Sequence, residues 1–431
     1  MLLVVNPKLD NITNFHLIPP YNTKLNILIV TPHFHPENFC INDFALEFQK
    51  RGHKITVLSG IPDYPGGKFF DGYGIFKRSR EKFNGVKIYR APLIPRGSGS
   101  NIRLALNYIT FVIGAIFTSF FIIINKLDII FVFEPSPITV GLPAIFIKKI
   151  KKIPICFWVL DLWPESVVSA RNIKSRIIPR LLNPIVKFIY KHSDKILVSS
   201  RGFIRSIEEK GISRKKIQFF PQWAEPLFKP VRTKNNLLSK IPKESFKIMF
   251  AGNIGEAQDF PSILETAKIL KDNKNIQWII LGGGRKAGWV KDKIIEYGLE
   301  NCFHMLGSFP IEKMPEFYST ADAMLFSLKD EYIFSITIPA KVQSYLACGK
   351  PILAMINGES SKLINDAGAG LTCSAEDSVG LSNNILKMSK ISSNEIKKMG
   401  ENSINYYKKY FDRQMLFKKA ENIFSSLIYD N

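Results

Sequence analysis

Short apolar runs recur along this chain with helix-length segments between them. From Asn26 onward they read NILIV (26–30), KITVL (54–58), VKIYR (86–90), DIIFVF (128–133), PICFWVL (154–160) and DKILVS (194–199). Strands that alternate with helices in this way build a parallel sheet covered by helices on both faces. A stretch rich in Pro, Lys and polar residues, 221–245, breaks the rhythm. The alternation then restarts with KIMFA (247–251), QWIIL (277–281), CFHML (302–306), AMLFSL (323–328) and PILAMI (351–356). The end, 392–427, reads as two helices broken near Phe411 and Asp412. The expected fold class is α/β, with two Rossmann-like, doubly wound units facing across a cleft. Ligands of open parallel sheets bind at the strand C-termini, so the cleft is the expected site. At 431 residues the chain is long enough for two such cores. The expected division is an extension at 1–24, a first unit at 25–225 and a second at 226–411, with a last helix (412–431) packed back on the first unit. Residues 1–24 lack a basic start and a clear cleavage site, so a signal peptide is not expected.

Lys and Arg outnumber Asp and Glu 59 to 37, a formal net charge of +22. That balance favours an anionic partner. The bases are scattered, and neither a zinc-finger spacing nor an RNA-binding signature is present, so nucleic acid is not the expected partner. The cysteines, Cys40, Cys156, Cys302, Cys348 and Cys373, are odd in number and form no CxxC, which suits free thiols in a reducing cytosol. No His/Cys/Asp grouping has metal-ligand spacing. From Leu104 to Asn125, 22 residues run without a charge, flanked by Arg103 and Lys126. The length suffices to cross a bilayer, but polar residues dilute it and a strand of the first sheet follows at once. The expected arrangement is a helix with one face on the sheet and the other on an anionic membrane surface. A buried helix and a true span are the alternatives.

Residues 334–353, FSITIPAKVQSYLACGKPIL, concentrate the chemistry. Pro339 opens a helix and Gly349 ends it. Lys341, Ser344 and Tyr345 share one face. A helix N-terminus carries unpaired N–H groups and partial positive charge, so it attracts phosphate, and Lys341 adds a full charge. A solvated lysine on a surface helix is the plain alternative. Gly252-Asn253-Ile254-Gly255 and Gly282-Gly283-Gly284-Arg285 are glycine turns after strands. Glycine lets backbone approach a ligand, and Arg285 suits a phosphate clamp. Three such features at one sheet edge point to a nucleoside diphosphate; neither a GxGxxG fingerprint at the first turn nor a P-loop is present. In the first unit, Asp161 and Glu165 of DLWPE are candidates for proton handling or for substrate hydroxyls, with helix capping the alternative for Asp161. Glu134 ends the preceding strand. His33 and His35 flank the loop after the first strand, where a histidine can hold a phosphate oxygen.

Several stretches, taken in order, resemble family-4 retaining glycosyltransferases of the GT-B fold. They are TPHFHPE (31–37), GIPDYPGGKF (60–69), FEPSP (133–137), DLWPES (161–166), GNIGEAQDF (252–260), LGGGR (281–285), ADAMLFSLKD (321–330) and FSITIPAKVQSYLACGKPI (334–352). The nearest branch by resemblance is the bacterial N-acetyl-L-fucosamine transferases (WbuB-like) of O-antigen and capsule assembly. The resemblance implies metal-independent sugar transfer with retention at the anomeric carbon, with no cofactor because the nucleotide-sugar is itself the substrate. The second domain is implied to hold a UDP-sugar donor, a UDP-N-acetyl-deoxyhexosamine such as the N-acetyl-L-fucosamine derivative. The first is implied to hold a polyprenyl-diphosphate-linked saccharide at the cytoplasmic face of the plasma membrane.

By the same resemblance, donor residues are Gly252, Asn253, Gly255, Gln258, Gly283, Arg285, Ser308, Phe309, Pro310, Thr337, Pro339, Lys341 and Ser344. Acceptor residues are His33, His35, Tyr64, Glu134 and Trp163, and Asp161, Glu165, Arg285 and Lys341 carry catalysis. The chain departs from the family pattern in two places. The glycine turn usually supplies an arginine and a lysine, where Asn253 and Gln258 stand here. Of the family's glutamate pair, the first falls near Ile336 and the second at Ser344. Arg285 and Lys341 are expected to compensate, with Ser344 or Glu331 in place of the ribose carboxylate. The rival readings are a nucleotide-sugar 2-epimerase of the same architecture and a nonenzymatic partner in polysaccharide assembly.

Overall fold

The computed structural model describes residues 24–97, 100–170, 177–232, 237–239 and 241–429. Residues 1–23, nearly all of the expected extension, lie outside the described residues. The first sheet contains β1 (Asn26–Val30), β2 (Lys54–Gly60), β3 (Arg80–Phe83), β4 (Val86–Ala91), β5 (Ile129–Glu134), β6 (Ile155–Val159), β7 (Lys195–Val198) and β8 (Ile217–Phe219), in the order β3-β4-β2-β1-β5-β6-β7-β8. The second contains β9 (Phe246–Ala251), β10 (Ile276–Leu281), β11 (Phe303–Gly307), β12 (Ala323–Ser327), β13 (Ile352–Met355) and β14 (Gly370–Cys373), in the order β11-β10-β9-β12-β13-β14. Pairing is parallel throughout except between β3 and β4. Each expected strand forms, with ends shifted by a residue or two.

Three strands were not expected. β3 and β4 form a hairpin on Asn84-Gly85, whose φ values are 46° and 88°. That dipeptide is the strongest short hairpin signal, because a two-residue turn of this type needs positive φ twice. β8 and β14 are too short to show a period.

Successive residues of a strand face opposite sides of the sheet. Leu28 and Val30 enter one core with Val132 and Phe157, while Ile27 and Ile29 enter the other with Phe131 and Trp158. The second core also takes Leu416, Phe417, Ala420 and Phe424 from the last helix, Arg413–Tyr429, so that helix lies on the first sheet. Arg413 fastens it there through Asp43 at 2.6 Å and Glu47 at 3.0 Å. Replacing Arg413 by Met leaves two carboxylates facing each other. The groups are partly solvated, so the expected loss is roughly 1–3 kcal/mol, less than for a fully buried pair. Chemical denaturation of Arg413→Met against wild type measures it.

The uncharged run forms a helix over Asn101–Ser119, shorter than the stretch read from sequence, because turns occupy 120–125. Ser100 caps it by accepting from the Arg103 N–H at 3.3 Å. Asn107, Phe111, Gly114, Ala115 and Thr118 are buried. Gly114 sits so close to Pro92 that a Cβ would stand 2.1 Å from its carbonyl oxygen. The opposite side is an apolar stripe at helical spacing: Ile102, Leu106, Ile109, Ile113 and Phe117, continued by Phe120, Phe121 and Ile124. Ile102 is 77% exposed and Ile124 82%. This helix is long and apolar enough to cross a membrane by length and composition alone, and a third of its most apolar window is buried.

Candidate functional site

The strand C-termini of the two sheets face one another, and a cavity of about 750 Å³ opens between them. Phe39, Phe133, Pro135, Leu160 and Trp223 line it from one side, and Gly252, Asn253, Gly283, Ser308, Phe309, Lys341 and Ser344 from the other. β9 lies between β10 and β12, the switch point of the second sheet, which places Gly252 where such sheets bind ligands.

Two glycine turns make the floor. Gly252 donates to the Leu281 carbonyl at 2.9 Å, Ile254 to Gly283 at 2.8 Å and Gly282 to Gly307 at 2.8 Å. Gly252 and Gly282 have φ of 144° and 130°, which L side chains rarely adopt. A Cβ on Gly282 would stand 1.9 Å from the Gly252 carbonyl oxygen. The turns therefore interlock as bare backbone.

Lys341 rises beside them from the first turn of the helix Ala340–Ala347, which Pro339 begins and Gly349 (φ 68°) follows. Tyr345, one turn on, fixes the helix to β9 by donating to the Ala251 carbonyl at 3.2 Å and accepting from its N–H at 3.3 Å. The Lys341 Nζ is buried without a hydrogen-bond partner among the described residues, 4.4 Å from the centre of the Phe250 ring. A Cβ on Gly252 would stand 3.1 Å from it. Burial lowers its pKa to about 8. A buried ammonium without a counter-charge is costly, and an anion bound on the glycine floor would relieve that cost.

Other expected donor residues shape the site without lining it. Gln258 uses its Oε1 to accept from Gly255 N–H at 3.1 Å. Thr337 donates to the Ile333 carbonyl at 2.6 Å. Pro310 and Pro339 lie outside the cavity wall, and so does Arg285, which is exposed ahead of the helix Ala287–Tyr297. Sequence reading overlooked Glu225. It is the one carboxylate among the described residues of the cavity wall, opposite in charge to Lys341, and burial followed by the Asp43 charge raises its pKa. It sits in the irregular 221–245 linker, where no period marks a residue as inward.

On the first sheet the expected acceptor residues separate. Asp161, partly buried, accepts from Trp163 Nε1 at 3.1 Å, and burial raises its pKa. Glu134 is 0% exposed, so it does not reach an acceptor as expected. Its Oε2 instead takes the Asp161 N–H at 3.4 Å. Burial, then the Asp161 charge, push its pKa well above the usual range. Glu165 is drawn away from the cleft by Lys210 at 2.6 Å and Ser206 at 2.5 Å, and lines a second cavity of about 1040 Å³ with Glu331 and Tyr332.

His33 has Nδ1 3.0 Å from Glu37 and Nε2 2.8 Å from Arg96, so neither nitrogen is free for phosphate, contrary to expectation. The partners fit a neutral ring protonated at Nδ1. His35 stacks on Phe83 with centroids 3.6 Å apart, and burial lowers its pKa. Tyr64 is 42% exposed and flanks His33 at 5.3 Å. His33, Glu37 and Asp63 bring potential ligand atoms within 4.8 Å. Most of their ligand capacity is spent, however, and a guanidinium stands beside the remaining oxygen. Glu37 Oε1 accepts the N–H groups of Asp63 and Tyr64, and Asp63 accepts from Asn107 with Arg96 beside it, so the set does not fit a metal.

Comparison with known proteins agrees with this architecture. Residues 39–224 match Glycosyltransferase Family 4, and residues 232–406 match Glycosyl transferases group 1. A probable glycosyltransferase of Pseudomonas aeruginosa, WbjE, is 29% identical over 235 residues, covering 52% of this chain and 58% of that relative. A putative colanic acid biosynthesis glycosyl transferase of Escherichia coli K12, WcaI, is 24% identical over 347 residues, covering 75% of this chain and 82% of its own length. Among solved structures, Anabaena HepE in complex with UDP and glucose superposes with a TM-score of 0.68 at 13% identity, over 93% of this chain and 100% of that one. Sucrose-phosphate synthase of Thermosynechococcus elongatus gives 0.75 at 14%, over 95% and 100%. At such identities the structures establish the fold, and the sequence matches establish the kind of domain. The chain is a glycosyltransferase of the GT-B fold, with a family-4 N-terminal domain and a group-1 C-terminal domain.

Proposed function

We propose that this protein transfers a sugar from a UDP-sugar, with retention and without a metal, to a polyprenyl-diphosphate-linked saccharide in cell-surface polysaccharide assembly. The donor sugar we favour is an N-acetyl-deoxyhexosamine such as N-acetyl-L-fucosamine. The observation that carries this reading is the buried, unpartnered Lys341 ammonium over two bare-backbone turns. When a glycosidic bond to a nucleoside diphosphate breaks, negative charge grows on the leaving phosphate. A fixed cation, a helix N-terminus and backbone N–H groups stabilise that charge, and they act more strongly in a cleft than in water. In this reading Asp161, which accepts from Trp163, holds the acceptor hydroxyl. A phosphate oxygen of the departing group takes its proton, which keeps attack and departure on one face of the sugar.

The comparisons support the donor class to the extent that HepE was solved with UDP. The apolar stripe of the helix Asn101–Ser119 and the excess of 22 positive charges support a peripheral position on an anionic bilayer on the cytoplasmic side. The test is incubation with UDP-N-acetylhexosamines, a prenyl-diphosphate-linked acceptor and EDTA, followed by mass spectrometry. A glycolipid one sugar heavier is expected. A donor epimerised at C2 with no glycolipid would replace this reading with the epimerase.

Glu225 supplies a second check. A carboxylate repels diphosphate, so in this reading Glu225 accepts from a ribose hydroxyl at the nucleoside end of the cavity it lines together with Ser308 and Phe309. Glu225→Gln is expected to weaken UDP binding by about tenfold, the scale of one charge-assisted hydrogen bond. 2′-Deoxy-UDP, titrated in parallel, should lose much less.

A further inference from the structure

Arg96 follows β4 at the acceptor edge, and the proposed transfer leaves it without a task. Its guanidinium lies between the rings of Tyr64 and Tyr108, 5.3 and 5.8 Å from their centres. One terminal nitrogen meets His33 Nε2 at 2.8 Å. Its Nε is buried without a hydrogen-bond partner among the described residues, and the nearest Asp63 oxygen stands off at 3.8 Å. Arg51, Arg90 and Arg413 of the same half behave differently, closing on carboxylates at 2.8, 2.5 and 2.6 Å. The acids near Arg96 are engaged by backbone and side-chain donors at every oxygen except Asp63 Oδ1, which faces Arg96 Nε beyond hydrogen-bond distance. Asp63 accepts the Arg96 N–H at 2.8 Å and Asn107 at 3.0 Å, and Glu37 takes two backbone N–H groups and His33. Arg96 is therefore a held cation whose fork is not closed by a carboxylate, the form suited to a phosphate oxygen.

Its position says which phosphate. Tyr108 belongs to the helix Asn101–Ser119, whose far side is the exposed apolar stripe. The Tyr108 ring meets Trp163 at 6.0 Å, and Trp163 donates to Asp161 at 3.1 Å. Arg96, Tyr108, Trp163 and Asp161 thus form a continuous row from the apolar helix to the cleft. Arg103, at the start of the same helix, adds a second base by bonding the Pro95 carbonyl at 3.1 Å.

We propose that Arg96 binds the diphosphate of a prenyl-diphosphate-linked acceptor, between the lipid-facing helix and the acceptor hydroxyl at Asp161. The assignment rests on the lipid-linked acceptor of the proposed function. Its test needs no turnover, so the two can fail separately. Citronellyl diphosphate is titrated into the full-length protein by calorimetry, with citronellol and inorganic diphosphate as parallel arms. Arg96→Gln is expected to weaken citronellyl diphosphate by about 10- to 100-fold, the loss of charge-assisted bonds. Lys341→Met should leave that binding within about twofold, because the nucleotide diphosphate site is separate. Loss in Lys341→Met with Arg96→Gln unchanged would overturn the assignment. Inorganic diphosphate binding the Lys341→Met protein as tightly as citronellyl diphosphate would also overturn it, by marking a site for free diphosphate. Should Arg96→Gln not fold, Arg96→Lys decides, since it keeps the charge and loses the fork. Weakening of several-fold is expected, and unchanged affinity contradicts the proposal.

Discussion

Lys341→Met is expected to lower turnover by about 100- to 1,000-fold while making the free protein more stable. The first effect is the usual cost of removing one preorganised partner of a developing oxyanion. The second follows from the Nζ having no partner in its buried position. Replacing an unpaired buried ammonium by an apolar chain of similar length is expected to raise stability by roughly 1–3 kcal/mol. A residue kept for packing gives the opposite result, with lower stability and normal turnover. pH provides an independent check. In the unfolded chain a lysine titrates near 10.4; in the folded one burial brings Lys341 to about 8. Between those values the unfolded state binds more protons, so stability rises with pH from about 8 to about 10.5. Below 8 both states are charged and the burial penalty is present in full. Lys419, also lowered to about 8, contributes in the same direction. The relevant quantity is therefore the difference between wild type and Lys341→Met. Denaturation curves at pH 7.5 and 10 should show the variant's advantage shrinking as pH rises.

Gly282→Ala is expected to damage the fold and the donor site together. Its φ of 130° is a conformation L side chains rarely adopt, and its Cβ would fall 1.9 Å from the Gly252 carbonyl oxygen. Neither atom can yield, since Gly282 is itself bonded to Gly307 at 2.8 Å. The expected loss is about 2–4 kcal/mol, with nucleotide binding abolished. Gly288→Ala is the control. That glycine is exposed in the helix Ala287–Tyr297 with nothing within 4 Å of a Cβ, and the change should be neutral or stabilising by up to ~1 kcal/mol. Calorimetric melting of the two variants, each with and without UDP, separates a local backbone requirement from a general intolerance of substitution.

The two-sheet architecture was legible because both sheets are parallel and buried on both faces, so their strands stand out as apolar runs. Lys341 was legible too, since proline and glycine frame its helix and the period sets its face. What escaped lies off those patterns. β3, whose REKF sequence carries three charges, escaped, and its hairpin with the expected β4 was signalled only by Asn84-Gly85. Glu225 faces the cavity from an irregular linker. The partners that occupy His33 include Arg96, 63 residues away, and no local spacing reveals such a contact. Glu134 looked available at a strand end, but tertiary packing buries it fully, and its carboxylate takes the Asp161 N–H. Glu165 lies four residues after Asp161 at the start of the next helix, yet Lys210 turns it into another cavity.

The central claim is that Lys341 and the two glycine turns hold a nucleoside diphosphate. Calorimetric titration of UDP in EDTA into wild type and Lys341→Met tests it most directly. The account predicts saturable binding by wild type, weakened by at least about tenfold in a variant that remains folded. Equal affinity in the two proteins would contradict it.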